Sequence, residues 1–181
     1  MLAQQGDPDV GRNHEISFLN RPFAPADEPD VRKFFLFDRD NRLMALGGFD
    51  PIYRAGAVIG YIAQHNRYRP GADVGAFADY AIKHHAIQVF QQESRECLHL
   101  GLAPFAYIED RDFLPHKDWL VRRAFAFCFR DPLVNRFAMP FRGHELHKRQ
   151  FRGSTEQTYF AFNTSPALPR LFKLLRACDI I

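Results

Sequence analysis

The chain changes its hydrophobic period twice between residues 58 and 105. Val58, Ile59, Tyr61 and Ile62 form a short apolar, partly β-branched run, the signature of a strand. Pro70, Gly71 and Gly75 then mark a break, so this strand is expected to end near His65. Over residues 76–92 the apolar positions Ala78, Ile82, Ala86, Val89 and Phe90 recur every three or four residues, which predicts a helix with one buried stripe. Asp79 and Lys83, four apart, are expected to pair on another face of that helix. Residues 97–102 alternate briefly and stop at Ala103 and Pro104, because a proline cannot donate to a sheet ladder. A strand, a helix and a strand joined in this order pair in parallel through a right-handed crossover.

The flanking stretches are less regular. Residues 1–14 are polar, with Gly6, Pro8 and Gly11 and no hydrophobic period, and are expected to fray. Ile16, Phe18 and Leu19 offer an edge segment before Pro22, Pro25 and Pro29 return the chain to a loop. Residues 33–37 and 42–49 read as two strands around a polar turn, a hairpin whose neighbour in the sheet is the strand at Val58. Gly47 and Gly48 within it point to a bulge, a close backbone approach or plain sheet curvature. Beyond Pro104, residues Leu120, Val121, Ala124, Phe125, Phe127 and Cys128 predict a mostly buried helix ended by Arg130, Asp131 and Pro132. The stripe Phe125, Phe127 and Phe129 is expected in the core. A further strand is expected at residues 158–162, and a last helix at 167–178, with Ser165 as its cap and Pro166 in its first turn.

Composition narrows the class. A chain of 181 residues with 46% hydrophobic content can bury one sizeable core. The expected organisation is a tail and proline-rich acidic loop over residues 1–30, then one domain over 31–181. A formal charge of +3 describes a mildly basic surface, which by itself does not make a nucleic-acid binder. Cys97, Cys128 and Cys178 are odd in number and far apart, so neither a disulfide framework nor a zinc site is signalled, and a reducing cytoplasm fits. No apolar run approaches the roughly 18 residues that span a bilayer, and the N-terminus lacks the order of a signal peptide, so a soluble or peripheral protein is expected.

The candidate chemistry is basic. Lys148, with Arg149 and Arg152, can stabilise an oxyanion or a terminal phosphate, or can form a solvated basic face at a helix end. Arg67 and Arg69 flank Tyr68 where a strand leads into a helix, so a phosphate-bearing group could meet backbone N–H groups at the helix start near Gly75; loop solubility explains Arg69 equally well. His99 precedes the glycine turn at Gly101 and is either a base or a satisfied core residue. His144, Glu145 and His147 fall one residue short of the zinc-binding H-E-x-x-H helix, so no metal is expected. Ala72 lies three residues before Gly75 and Phe77 two after it, which breaks the usual acetyl-CoA-cradling pattern.

Phe141 and Gly143, then Leu146, His147, Lys148 and Phe151, then Tyr159 in a strand, resemble the closing signature of the phosphatidylglycerol lysyltransferase C-terminal domain family, the lysyl- and alanyl-phosphatidylglycerol synthases. Arg67, Gly75 and the run Leu100, Gly101, Leu102, Ala103, Pro104 fall where that family has an arginine at a strand end, a glycine opening a helix and a turn after the next strand. Gln64 stands where the family commonly has an acid, and Gln150 where it has a second lysine. The resemblance covers residues 31–162 and implies an α/β (α+β) N-acetyltransferase-like (GNAT) fold, a mixed β-sheet flanked by α-helices. Its strands at Val58 and Leu98 are then expected to part near Arg67 and Pro104 and open a cleft. What is present resembles the second unit of a tandem GNAT-like module, so the chain reads as a compact single-unit relative or an incomplete version of a longer protein.

The resemblance further implies an aminoacyltransferase that moves an aminoacyl group from aminoacyl-tRNA to a lipid hydroxyl without a cofactor. Lys148 and His99 become catalytic candidates, and Arg67, Arg69, Gly75, Gly101, Arg152 and Tyr159 substrate-binding ones. The implied partners are aminoacyl-tRNA, an anionic phospholipid or membrane surface, and a second GNAT-like unit or a homo-oligomer. The implied location is the cytoplasm, peripheral on the inner face of the membrane. Two other functions stay open: a GNAT-type acyltransferase using an acyl-CoA or acyl-carrier-protein thioester, and a non-catalytic unit that binds lipid or protein.

Overall fold

The computed structural model describes residues 3–4, 26–69, 75–103, 106–108, 119–137, 141–156, 158 and 167–177. The chain divides into two compact units, Met1–Gly101 and Leu102–Ile181.

The first unit contains β1 (Ala3–Gln4), β2 (Arg32–Phe37), β3 (Leu43–Arg54), β4 (Ala57–Tyr68), α1 (Gly75–Gln92) and β5 (Cys97–His99). Among the described residues the strands form one five-stranded sheet in the order β1, β4, β3, β2, with β5 also paired to β4. Pairing is antiparallel for β1–β4, β2–β3 and β3–β4, and parallel for β4–β5. The expected hairpin and the expected parallel pair across one helix both form, and α1 packs on this mixed sheet in an α+β, GNAT-like arrangement.

The strand ends differ from the sequence expectation. β4 continues past His65 to Tyr68, because the start of β3 supplies partners for it: Tyr68 pairs with Ala45, and the Arg69 N–H donates to the Met44 carbonyl at 2.8 Å. β3 runs beyond Phe49 and through Pro51 to Arg54. Its ladder to β4 shifts register at Gly48/Phe49 and Ile52/Tyr53, and such irregularities let a proline sit in a strand. Ala3 and Gln4 do not fray; they pair with Tyr68 and Arg67, which satisfies edge groups of β4.

Two glycines set how closely the layers approach. A Cβ at Gly47 would stand 2.4 Å from Ile82 Cγ2, so the missing side chain lets α1 lie against the sheet. Gly48 borders a register shift, so the doublet serves both bulge and close approach, and plain curvature is not its role. A Cβ at Gly60 would meet the Cys97 carbonyl oxygen at 2.3 Å, where β5 joins the sheet. Around this seat Phe34, Phe49 and Phe90 meet edge to face at 5.3 to 5.7 Å, and Tyr61 stacks on Phe90 at 4.2 Å. Each such ring pair adds about 0.5–1.5 kcal/mol beyond its area burial.

Asp79 and Lys83 are not on another face of α1. Both are buried, at 0% and 4% exposure, and the Lys83 ammonium donates to Asp79 Oδ2 at 2.7 Å. The helical angle explains this: at about 100° per residue, counted from Ala78, Asp79 falls near 100° and Lys83 near 140°, interleaved with Ala86 near 80° and Phe90 near 120°. The charged pair belongs to the apolar stripe.

The second unit contains α2 (Trp119–Arg130), α3 (Pro132–Phe137), α4 (Phe141–Arg149) and α5 (Ala167–Ala177). Asp131 ends α2 and caps α3, its Oδ1 accepting the Leu133 and Val134 N–H groups at 2.9 Å, with Pro132 as the first helical residue. Asn135 locks the corner: its side-chain amide donates to the Phe129 and Asp131 carbonyls at 2.9 Å, while its Oδ1 accepts the Arg142 N–H at the start of α4 at 3.0 Å. α2 is not mostly buried. Phe125 and Phe129 are half-buried, but Phe127 is 61% exposed, because residues two apart on a helix point about 200° apart. The strand expected at residues 158–162, apart from Thr158, and Ser165 and Pro166 lie outside the described residues.

Lys83→Met leaves the Asp79 carboxylate buried without its ion partner, so urea unfolding should show a loss of about 3–5 kcal/mol. The double variant Asp79→Leu, Lys83→Met should recover most of that loss. Equal losses for the single and double variants would show that packing volume, and not the charge pair, matters at this position.

Candidate functional site

In the first unit the candidates gather where β4 ends and α1 begins. Arg67 pairs in register with Leu46 and Tyr68 with Ala45, so alternation puts Tyr68 on the α1 side of the sheet and Arg67 on the opposite side. Arg67 is half-buried, Arg69 is exposed just past the strand, and Gly75 is the first residue of α1. His99 is exposed, and its neighbour Leu98 packs on the core, so His99 shares the face of Arg67. His99 registers with Ile62, five residues before Arg67, which separates the two by about 16 Å along the strand. They line one sheet face without meeting at a single atom. β4 and β5 part after Ile62 and His99, earlier than expected, and the Arg67–Tyr68 stretch of that edge is taken by β1.

Beneath this end of the sheet lies a group that sequence reading left out of the site. The Tyr68 hydroxyl is buried without a hydrogen-bond partner among the described residues. Burial, and then the nearby Asp79 carboxylate, push its pKa well above that of an ordinary tyrosine. Tyr68, between Arg67 and Arg69 in sequence, and the Asp79–Lys83 pair on α1 thus place polar groups inside the core.

In the second unit Lys148 is half-buried near the end of α4, and its ammonium donates to the Leu102 carbonyl. Leu102 follows Gly101, whose φ of +78° a glycine adopts without strain. The same turn is held from two other sides: Arg122 of α2 donates to the Ile108 carbonyl at 3.2 Å, and the Arg149 guanidinium lies 6.0 Å from the Tyr107 ring centre. α4 closes with Phe151 N–H on the Lys148 carbonyl and Arg152 N–H on the Arg149 carbonyl, at 3.1 and 3.0 Å. Arg152 itself takes a left-handed φ of +52° and is exposed. His147 packs edge-on to Phe151 at 5.7 Å. Tyr159 lies outside the described residues.

The structure therefore brings Lys148 onto the Leu102 carbonyl, within the stretch that the sequence singled out at residues 100–104, and it places Arg67 and Arg69 at the end of β4 and Gly75 at the start of α1. Arg67, Arg69, Gly75, His99 and Gly101 belong to the first unit, Lys148 and Arg152 to the second. Among the described residues no group of three or more His, Cys, Asp or Glu side chains is arranged to hold a metal ion, and no helix is long and apolar enough to cross a membrane. Cys97 and Cys128 are free thiols.

The family model described as phosphatidylglycerol lysyltransferase, C-terminal, matches residues 3–162 of the chain. No curated protein and no solved structure matches it.

The Tyr68 environment sets a pH dependence. Its folded pKa is raised, so below the unfolded value near 10 the full stability is present, and above it the unfolded chain loses a proton that the folded chain keeps. Stability should fall by about 1.4 kcal/mol per pH unit on that side from this residue. Comparing urea unfolding at about pH 8 and roughly three units higher, Tyr68→Phe should lose less stability than the parent by about 1.4 kcal/mol; an unchanged difference would place the alkaline sensitivity elsewhere.

Proposed function

The chain belongs to the phosphatidylglycerol lysyltransferase C-terminal family, a transferase family, and from that premise we propose that it transfers an aminoacyl group from aminoacyl-tRNA to a hydroxyl of a phosphatidylglycerol-type lipid. The observation that carries this reading is the bond from Lys148 to the Leu102 carbonyl, which joins two motif segments far apart in sequence. The donor is already an activated ester. The acceptor hydroxyl attacks its carbonyl, a new ester bond forms, the bond to the tRNA ribose breaks, and the acceptor's proton ends on the departing ribose hydroxyl. Such a step needs positioning, a proton path and charge stabilisation more than a covalent enzyme intermediate.

In this reading Lys148 stabilises the negative charge that develops on the attacked carbonyl oxygen. An ammonium carries three N–H donors, more than one backbone carbonyl uses, so an anchored Lys148 can still donate to substrate. Arg152, exposed at the end of the same segment, receives a phosphate of the donor or of the lipid. Arg67 and Arg69, with the backbone at Gly75 opening α1, form a second anion-binding element. His99, exposed on the open sheet face, is the candidate base. Gly101 shapes the turn that carries Leu102, and Tyr159 keeps its assignment from the motif alone. Gln64 and Gln150 stand in place of an acid and a lysine, so proton removal and cationic stabilisation rest on fewer side chains here.

Single-turnover transfer from labelled aminoacyl-tRNA into phosphatidylglycerol micelles tests the reading. Lys148→Ala should lower the rate about 10²-fold or more, with a stability loss of only about 0.5–1.5 kcal/mol from the missing bond to Leu102. Lys148→Arg should restore part of the rate, because a planar guanidinium cannot take the position of a compact ammonium. A well-folded Lys148→Ala protein with the parent rate removes this residue from the chemistry. A parent protein that transfers only from a thioester donor replaces the tRNA-dependent reading.

A further inference from the structure

β5 spans only three residues, Cys97–His99, and pairs in parallel with Gly60, Tyr61 and Ile62 of β4. So short a ladder specifies its register weakly, and the register matters: a slip by one residue would turn His99 toward the core and Leu98 toward water. Two bonds ahead of the strand keep the same offset of 37 residues between partners. The Glu96 N–H donates to the Ile59 carbonyl at 2.7 Å, and Arg95 Nη1 donates to the Val58 carbonyl at 2.7 Å. The Arg95 side chain thus extends the grip of β5 on β4 one position beyond the backbone. It is itself held. Its Nε donates to Glu93 Oε2 at 3.2 Å, and Glu93 Oε1 accepts Arg32 Nη1 of β2 at 2.7 Å. The Arg95 guanidinium carbon also lies 5.9 Å from the centre of the Tyr61 ring, which stacks on Phe90. Arg95 and Glu93 are 29% and 27% exposed, so this pair is less screened than one at the open surface.

We infer that Arg95 is a positioning residue for the transfer: held by Glu93 and bonded to Val58, it fixes the register of β5 and so keeps the His99 imidazole on the open face of the sheet. This rests on the reading above in which His99 is the base for the acceptor hydroxyl. Arg95 touches no substrate in this role and acts only through the strand. Two further features serve the same register. Arg54 of β3 grips the Glu96 carboxylate through two bonds at 2.9 and 2.7 Å, and Gly60 leaves room for Cys97, whose carbonyl oxygen would stand 2.3 Å from a Cβ there. A purely structural Arg95 and a positioning Arg95 differ in one consequence. Loss of the first lowers stability and leaves the folded fraction at the parent rate, whereas loss of the second lowers the rate and costs nothing more once His99 is gone. The rate effect is large because a misplacement of about 1 Å at the chemistry costs up to about 10²-fold.

The full chain is compared with Arg95→Gln, Arg95→Lys, His99→Asn and the double variant Arg95→Gln, His99→Asn in single-turnover transfer from labelled aminoacyl-tRNA. Nuclear Overhauser contacts between Ile62 and His99, with amide exchange at residues 97–99, read the register without any turnover. Arg95→Gln should lose those contacts, speed the exchange and lower the rate at saturating donor about 10²-fold, with little change in the donor concentration for half-maximal rate. Arg95→Lys should restore part of the rate, since an ammonium can reach the Val58 carbonyl but cannot also offer the guanidinium fork to Glu93. The double variant should be no slower than His99→Asn alone. Parent contacts between Ile62 and His99 in Arg95→Gln overturn the assignment, and so do losses that multiply in the double variant. His99→Asn at the parent rate also overturns it, and leaves the transferase reading standing on Lys148. A parent chain that transfers nothing overturns the transferase reading and the positioning role with it, while the contacts still decide whether Arg95 sets the register.

Discussion

The first unit depends on α1 lying flat against the sheet with a charged pair beneath it. Gly47 permits the approach, since any side chain there would collide with Ile82. Phe34, Phe49, Tyr61 and Phe90 fill the layer, and the Asp79–Lys83 bond neutralises two groups that would otherwise be prohibitively costly to bury. The pair sits in the first half of α1, and the Asp79 carboxylate acts electrostatically on Tyr68 at the end of β4.

The turn after β5 is organised differently. Long basic side chains hold its backbone: Lys148 on the Leu102 carbonyl and Arg122 on the Ile108 carbonyl, with Arg149 beside the Tyr107 ring. Carbonyls are natural partners for cations, and each such bond leaves cationic charge close to the turn. An oxyanion formed nearby would meet that charge already oriented, with little left to reorganise during reaction. In the reaction proposed above, one set of side chains would both shape the turn and serve the transfer.

The basic residues of the second unit differ in what surrounds them. Arg122 donates to the Ile108 carbonyl and Arg149 lies beside the Tyr107 ring, while Arg122, Arg123 and Arg130 together line an open depression beside Trp119.

Much was legible from sequence because it depends on local period. The alternation at residues 33–37 and 42–49, the three-to-four spacing from Ala78 to Phe90, and the apolar runs at Val58 and Leu98 are strand and helix periods, and the sheet they imply is the one that forms. The ordered motif through Lys148 likewise pointed to the family that matches the chain. What only the tertiary structure decided are properties of pairs. β4 reaches Tyr68 because Ala45 and Ala3 lie beside it, a long-range condition that no local turn signal records. Asp79 and Lys83 were legible as a pair, but their burial follows from which face of α1 the sheet covers. Phe127 shows the converse: phenylalanines two apart suggest a stripe when read as letters, yet on a helix they lie on opposite sides, and only the neighbours that α2 acquires determine which side faces water. Sequence fixes the spacing of side chains along an element, and the packing of other elements against it determines which of them are buried.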